Sequence, residues 1–221
     1  MDLKRRMAAE AIGTAFLLAA VVGSGIMGER LSGGNEAVAL LVNTLATGTA
    51  LVALIYCFAP ISGAHFNPVV TLALASRFRF GWREVPYYLV AQMAGAVVGI
   101  IAAHGMFVQP AIFWSHHART GPHQLLSEAI ATFGLLMVIW SSSRYRMEAV
   151  TFAVGAYIAA AYWFTSSTSF ANPAVTIARM MSDTFTGIRP ADVPGFILAQ
   201  FVGAGAATLL ARWLIPHKEK E

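Results

Sequence analysis

Asn67-Pro68-Val69-Val70-Thr71-Leu72-Ala73 returns later in the chain as Asn172-Pro173-Ala174-Val175-Thr176-Ile177-Ala178. Asn before Pro predicts a chain reversal and then a helix with Pro at its first position, where the missing N–H costs nothing. One such turn carries little information. Two extended versions, one in each half of an apolar chain, predict two short helices facing each other inside a membrane.

The surrounding composition supports a membrane setting. Of 221 residues, 57% are hydrophobic and only 12% are charged, against about 25% charged residues in soluble domains. Six apolar stretches are long enough, or nearly so, to cross a hydrocarbon core about 30 Å thick. They lie near Met7–Met27, Ala37–Phe58, Val85–Phe107, Gln124–Ser143, Ala149–Ser166 and Val193–Ile215. The first reads as a span rather than a signal peptide, since Glu10 interrupts its start and no clear cleavage site follows. With the N-terminus in the cytoplasm, Lys4, Arg5, Arg6, Arg77, Arg79, Arg83, Arg144, Arg146, Arg212, Lys218 and Lys220 fall inside. Arg30, Arg119, Arg179 and Arg189 fall outside. The positive-inside rule selects this orientation, with both termini cytoplasmic. Basic residues then meet lipid headgroups; no basic face interleaved with aromatics suggests nucleic acid. The single Cys57 excludes an intrachain disulfide and reads as a small buried residue or, more sharply, as a thiol near a pore.

Three signatures recur in the same order. Glu10-Ala11-Ile12-Gly13-Thr14 matches Glu128-Ala129-Ile130-Ala131-Thr132, the Asn-Pro heptads follow, and Ala91-Gln92-Met93-Ala94-Gly95-Ala96 matches Ala199-Gln200-Phe201-Val202-Gly203-Ala204. Together they indicate a duplicated unit, spanning approximately 4–108 and 122–216 of a single channel domain, 1–221. Each unit has three full spans, so the second enters the membrane from the opposite side as an inverted repeat. The heptads then fold back as half-helices of about ten residues, roughly 15 Å each, together matching the hydrocarbon core. The runs before them, Pro60–Phe66 and Thr165–Ala171, are expected to be non-helical. Such backbone survives at membrane depth only where it is buried in protein or lines a watery cavity.

Ile61-Ser62-Gly63-Ala64-His65-Phe66-Asn67-Pro68, Asn172-Pro173-Ala174 and the Glu10/Glu128 and Gln92/Gln200 pairs resemble the aquaporin, or major intrinsic protein, family over nearly the whole chain. The resemblance implies an all-α membrane fold of six helices and two re-entrant half-helices. It further implies one pore per subunit and a homotetramer, in a bacterial inner membrane. Asn67 and Asn172 would meet the permeant at the pore centre. Carbonyls of Gly63, Ala64, His65, Thr168, Ser169 and Phe170 would form an acceptor ladder, and Glu10 and Glu128 would brace the re-entrant loops. Two positions depart from the family pattern: Val69 stands for an alanine, and Val175 stands where most members carry the filter arginine. Aligned, the outer filter comprises Thr47, Ala160, Ser169 and Val175, with Tyr162 as the alternative to Ala160.

Loss of five donors and a fixed charge at Val175 predicts a wider, partly apolar opening. The expected function is a passive channel for water and small neutral solutes, of aquaglyceroporin type, passing glycerol-like polyols or trivalent arsenic hydroxides such as arsenite. A water-selective channel and a gradient-coupled transporter are the alternatives. Arg179, one turn beyond Val175, either reaches the vestibule, pairs with Asp183, or snorkels to the surface.

No enzyme is expected, since no catalytic pairing appears on facing spans, and no cofactor or metal either. His104, His116, His117 and His123 match no zinc spacing and read as solvated loop residues. His65 reads as a pore-wall hydrogen bonder or a pH-sensitive element of the cytoplasmic constriction. Trp82, Tyr87, Tyr88, Trp114 and Trp213 read as interfacial anchors, and Gly95, Gly99, Gly203 and Gly205 as sites of close helix approach.

Overall fold

All six apolar runs fold as helices. The first, second and fourth extend past their expected ends, because a helix keeps its backbone bonds into the polar zone where charged residues are welcome; the third, fifth and sixth stop one or two residues short. The computed structural model describes residues 1–77 and 80–215. The basic residues Arg79, Lys218 and Lys220, and the final residue of the second repeat, lie outside them. The long helices are α1 (Leu3–Leu31), α2 (Glu36–Ser62), α4 (Val85–Met106), α5 (Pro122–Tyr145), α6 (Val150–Phe164) and α8 (Val193–Leu214). The short ones are α3 (Pro68–Ser76) and α7 (Pro173–Arg179). Among the described residues there is no strand, only an isolated bridge from Phe113 to Ser182. All six long helices, three of them counted with a preceding 3-10 turn, are long and apolar enough to cross a membrane.

Local chemistry sets the boundaries. Asp2 and Asn35 cap α1 and α2, while Asn67 and Asn172 cap the half-helices with Pro behind them, as the heptads predict. The first non-helical run is shorter than expected. α2 continues through Pro60 to Ser62 and ends at Gly63, whose φ of 90° suits glycine. Pro60 lies in the last turn of α2, where it removes the one helical bond that would reach the Tyr56 carbonyl. The half-helices have nine and seven residues, about 14 and 10 Å, rather than ten residues each.

The helices pack as two similar sets. α1 lies between α2 and α4, α5 between α6 and α8, and α2 crosses α6 where the sets meet. Each half-helix touches both α4 and α8. We call the face holding the start of α1 proximal and the opposite face distal; α3 enters from the proximal face and α7 from the distal one. At the proximal face Arg6 grips Glu84 with two bonds of 2.6 and 2.5 Å.

Small residues allow the closest crossings. Gly95 and Gly99 on α4 lie against the carbonyls of Ala11 and Ala15 on α1, and Gly203 on α8 lies against that of Ala129 on α5. A Cβ at any of them would strike backbone. Gly205 has no neighbour within 4 Å of such an atom and takes no part in the crossing. Gly203→Val should therefore cost about 1–3 kcal/mol through overpacking, while Gly205→Ala should stay within about 0.5 kcal/mol of the parent. Thermal unfolding in mild detergent compares them directly.

Several side chains sit otherwise than the sequence suggests. Cys57 is exposed on the outer surface, neither buried nor beside the cavity described below. Tyr88 is fully buried and donates to the Ser62 carbonyl at 2.7 Å, unlike the exposed Trp82, Tyr87, Trp114 and Trp213. His104 is likewise buried, bonded to the Ala111 carbonyl and the Ser182 hydroxyl at 2.9 Å each. Only His116, His117 and His123 of that group are exposed.

Candidate functional site

The two re-entrant segments hold matching strained backbone. Ala64 and Phe66 have φ of 50° and 49°, and Ser169 and Ala171 have 50° and 46°; Thr168 adds a fifth at 60°. Left-handed non-glycine residues cost roughly 1–2 kcal/mol each, so surrounding bonds must hold them. Fully buried Glu10 accepts the Ser62 hydroxyl at 2.7 Å, the N–H groups of His65 and Phe66 at 2.9 and 2.8 Å, and the Gln92 amide at 2.8 Å. Fully buried Glu128 accepts the N–H groups of Phe170 and Ala171 at 2.9 Å each and the Gln200 amide at 2.6 Å. Each glutamine amide also donates to a half-helix threonine, Thr71 at 3.0 Å and Thr176 at 2.9 Å.

The asparagines join the two segments. The Asn67 amide donates to the Ala171 carbonyl, and the Asn172 amide to the Phe66 carbonyl, both at 2.8 Å. Their side-chain oxygens accept from the half-helices, Asn67 from Val69 at 3.0 Å and Asn172 from Ala174 at 3.0 Å and Val175 at 3.4 Å. An amide nitrogen carries two hydrogens, so one remains on each asparagine. Both asparagines border a cavity of about 820 Å³.

That cavity runs from Met147 and Glu148 near the proximal face, past Gly63, Ala64, His65 and Asn67, to Ser169, Phe170, Asn172 and Thr47. Its walls are mostly apolar, with Leu51, Ile55, Val154 and Ile158 opposite the re-entrant backbone. Thr168 borders a second, distal recess of about 750 Å³ instead. His65 holds the Thr71 hydroxyl at 3.0 Å and packs against the rings of Phe80 and Tyr88.

Of the aligned filter positions, Thr47, Ser169 and Val175 line the cavity and Ala160 does not. Ala160 is exposed on the outside of α6. Ile158 and Tyr162, four residues apart, share the inward face, and a residue midway between them points about 200° away. Tyr162 is the α6 side chain at this level, with its hydroxyl 3.4 Å from that of Thr47.

Arg179 also borders the cavity. It neither pairs with Asp183 nor snorkels: it is 1% exposed, and its Nε donates to the Thr186 carbonyl. Asp183 instead takes the His116 N–H at 2.8 Å, which with the His116 ring holds its carboxyl below the usual range. Sequence reasoning missed Arg119, which reads as a loop cation and is in fact 8% exposed against the same wall. Beside it, His117 is pushed below its ordinary value, first by burial and then by the charges of Arg119 and Arg179.

The family model described as "Major intrinsic protein" matches residues 1–149. The aquaglyceroporin AqpS of Rhizobium meliloti is 53% identical over 214 residues, covering 97% of this chain and 91% of that protein. The probable aquaporin AqpM of Archaeoglobus fulgidus is 32% identical over 250 residues, covering 100% of this chain and 99% of its own. Aquaporin NIP1-3 of Oryza sativa is 32% identical over 218 residues, covering 95% of this chain and 75% of its own. The solved aquaglyceroporin of Plasmodium falciparum superposes with a TM-score of 0.76 at 21% identity, covering 97% of each chain, a likeness of fold.

Proposed function

The chain belongs to the major intrinsic protein family, and we propose on that basis that its pore admits neutral polyhydroxylated solutes larger than water. It is an integral membrane channel for water and small solutes and not an enzyme. The finer reading takes glycerol-type polyols and trihydroxy arsenic species such as arsenite as permeants. One observation carries it: the wall at the outer filter is Val175 rather than an arginine, with Thr47 and Ser169 alongside. A solute bearing several hydroxyls exchanges lost waters for carbonyls on one side, while its carbon face lies on Leu51, Ile55 and Val154.

Within this reading Asn67 and Asn172 each offer their remaining amide N–H to the solute. The carbonyls of Gly63, Ala64, His65, Ser169 and Phe170 accept from it, with Thr168 doing so in the outer recess. Glu10 and Glu128 act behind the wall as braces. The N-termini of α3 and α7 converge at the asparagines, each bringing about half a positive charge, which disfavours cations and a protonated water chain. The homotetramer, the bacterial inner membrane and a cytoplasmic proximal face belong to the same proposal, the last resting on the loop charges.

Stopped-flow swelling of proteoliposomes in gradients of glycerol and arsenite, beside water, tests it. Glycerol entry is expected well above that of empty vesicles, linear in concentration and independent of proton or sodium gradients. Passage of water alone would overturn the solute reading; saturable, gradient-driven flux would favour a transporter.

A further inference from the structure

Two guanidinium groups flank the Phe170 ring at the distal end of the site, Arg179 bordering the cavity and Arg119 the outer recess, and the aligned filter positions account for neither. Arg179, the last residue of α7, lies one turn beyond Val175, about 6 Å further out. Its Cζ sits 3.4 Å from the centroid of the Phe170 ring. Arg119 approaches the same ring at 5.0 Å and fastens to three carbonyls, Gly187 at 2.8 Å, Ser167 at 3.3 Å and Phe185 at 3.4 Å.

Neither guanidinium has an ion-pair partner among the described residues. The nearby carboxyl groups are engaged elsewhere: Glu128 with the re-entrant backbone, Asp183 with His116, and Asp192 with Arg189 and the backbone of Arg119. Burying a charge without a counter-ion is costly. Neutral carbonyls and an aromatic face hold both groups in place without cancelling their charge. Two polar atoms here are also unmatched: Arg179 Nη1 and Ser169 Oγ are buried with no hydrogen-bond partner among the described residues, and both side chains border the cavity. A buried N–H without a partner calls for an explanation, and here the side chain that carries it borders the solute path.

We propose that Arg179 is a selectivity-determining residue of this channel, displaced one helical turn outward from Val175. Stacked on Phe170 and tied to Thr186, it supplies an outer positive barrier to cations, added to the one at the half-helix N-termini, and an N–H for a permeant oxygen entering from the distal face. Arg119 positions it by packing against the same Phe170 ring and adds a second charge to the same field. The device separates two tasks: Val175 leaves the throat wide for bulky neutral solutes, while Arg179 charges the wall without narrowing it.

This inference rests on the channel reading, and the two fail differently. Purified protein in proteoliposomes is assayed for water and glycerol permeability and for methylammonium entry. Arg179→Met is expected to raise methylammonium entry on the order of tenfold and to change the glycerol-to-water ratio by a few-fold. Arg179→Lys keeps the charge but loses the planar fork, so cation exclusion should persist while the solute ratio changes. Val175→Arg in the Arg179→Met background should restore cation exclusion, which repair of a merely structural defect would not do. If Arg179→Met does not fold, Arg179→Lys and the double variant carry the test. A folded Arg179→Met protein with the parent's cation exclusion and solute ratio would overturn the proposal, as would an Arg179→Lys protein unchanged in solute ratio. A parent protein that conducts nothing would instead overturn the channel reading.

Discussion

Glu128→Ala is expected to destabilise the protein by about 3–5 kcal/mol and to abolish solute flux. The side chain is fully buried and satisfies two backbone N–H groups and one amide. Alanine leaves both backbone N–H groups and one of the two N–H bonds of the Gln200 amide without an acceptor in a buried place, since that amide keeps only Thr176. The same bonds hold Ser169 and Ala171 in left-handed backbone, so their loss releases the second re-entrant segment and Asn172 with it. Glu128→Gln should be milder, about 1–3 kcal/mol, because one oxygen still accepts while the new NH2 opposes a backbone N–H. Glu10→Ala should follow the same pattern for the first segment. Unfolding midpoints in mild detergent, paired with vesicle swelling, measure both consequences. An alanine variant as stable and as permeable as the parent would show that the segments hold themselves.

Val175→Arg gives the second large effect. Valine occupies the wall facing Thr47 and Tyr162, and arginine there adds a long side chain with five donors. Glycerol flux should fall by about tenfold or more while water flux falls much less, since a polyol has no room to turn past the new group. The variant also places a new cation four residues before Arg179, and like charges at that spacing repel. A modest loss of stability should accompany the change in selectivity. Equal reduction of water and glycerol flux would mean that the constriction controlling solute size lies elsewhere in the cavity.

The half-helices were legible because their signals are local. Asn as cap and Pro behind it work within three residues, and both heptads became what they predicted. The bracing glutamates were marked by the family resemblance, with duplication beside it: Glu10 and Glu128 each bond a repeated glutamine, Gln92 and Gln200. Rotation of a helix about its own axis was harder to read. In a membrane, lipid-facing and core-facing sides are both apolar, so nothing in α6 told Ala160 on the outside from Tyr162 on the inside. Cys57 and Tyr88 exchanged their expected surroundings for the same reason. Long side chains from loops were hardest: Arg119 becomes a wall element only when residues 185–187 fold beneath it.

The crossed bonds between Asn67 and Ala171, and between Asn172 and Phe66, bear on how the protein is made. During synthesis the first half emerges with the Asn67 amide and the Phe66 carbonyl both lacking their eventual partners. Nothing in that half can supply them, because each partner lies more than a hundred residues downstream. Completion of the passage therefore waits for the second re-entrant segment, and a chain halted before Asn172 holds an unfinished leaflet rather than half a working conduit.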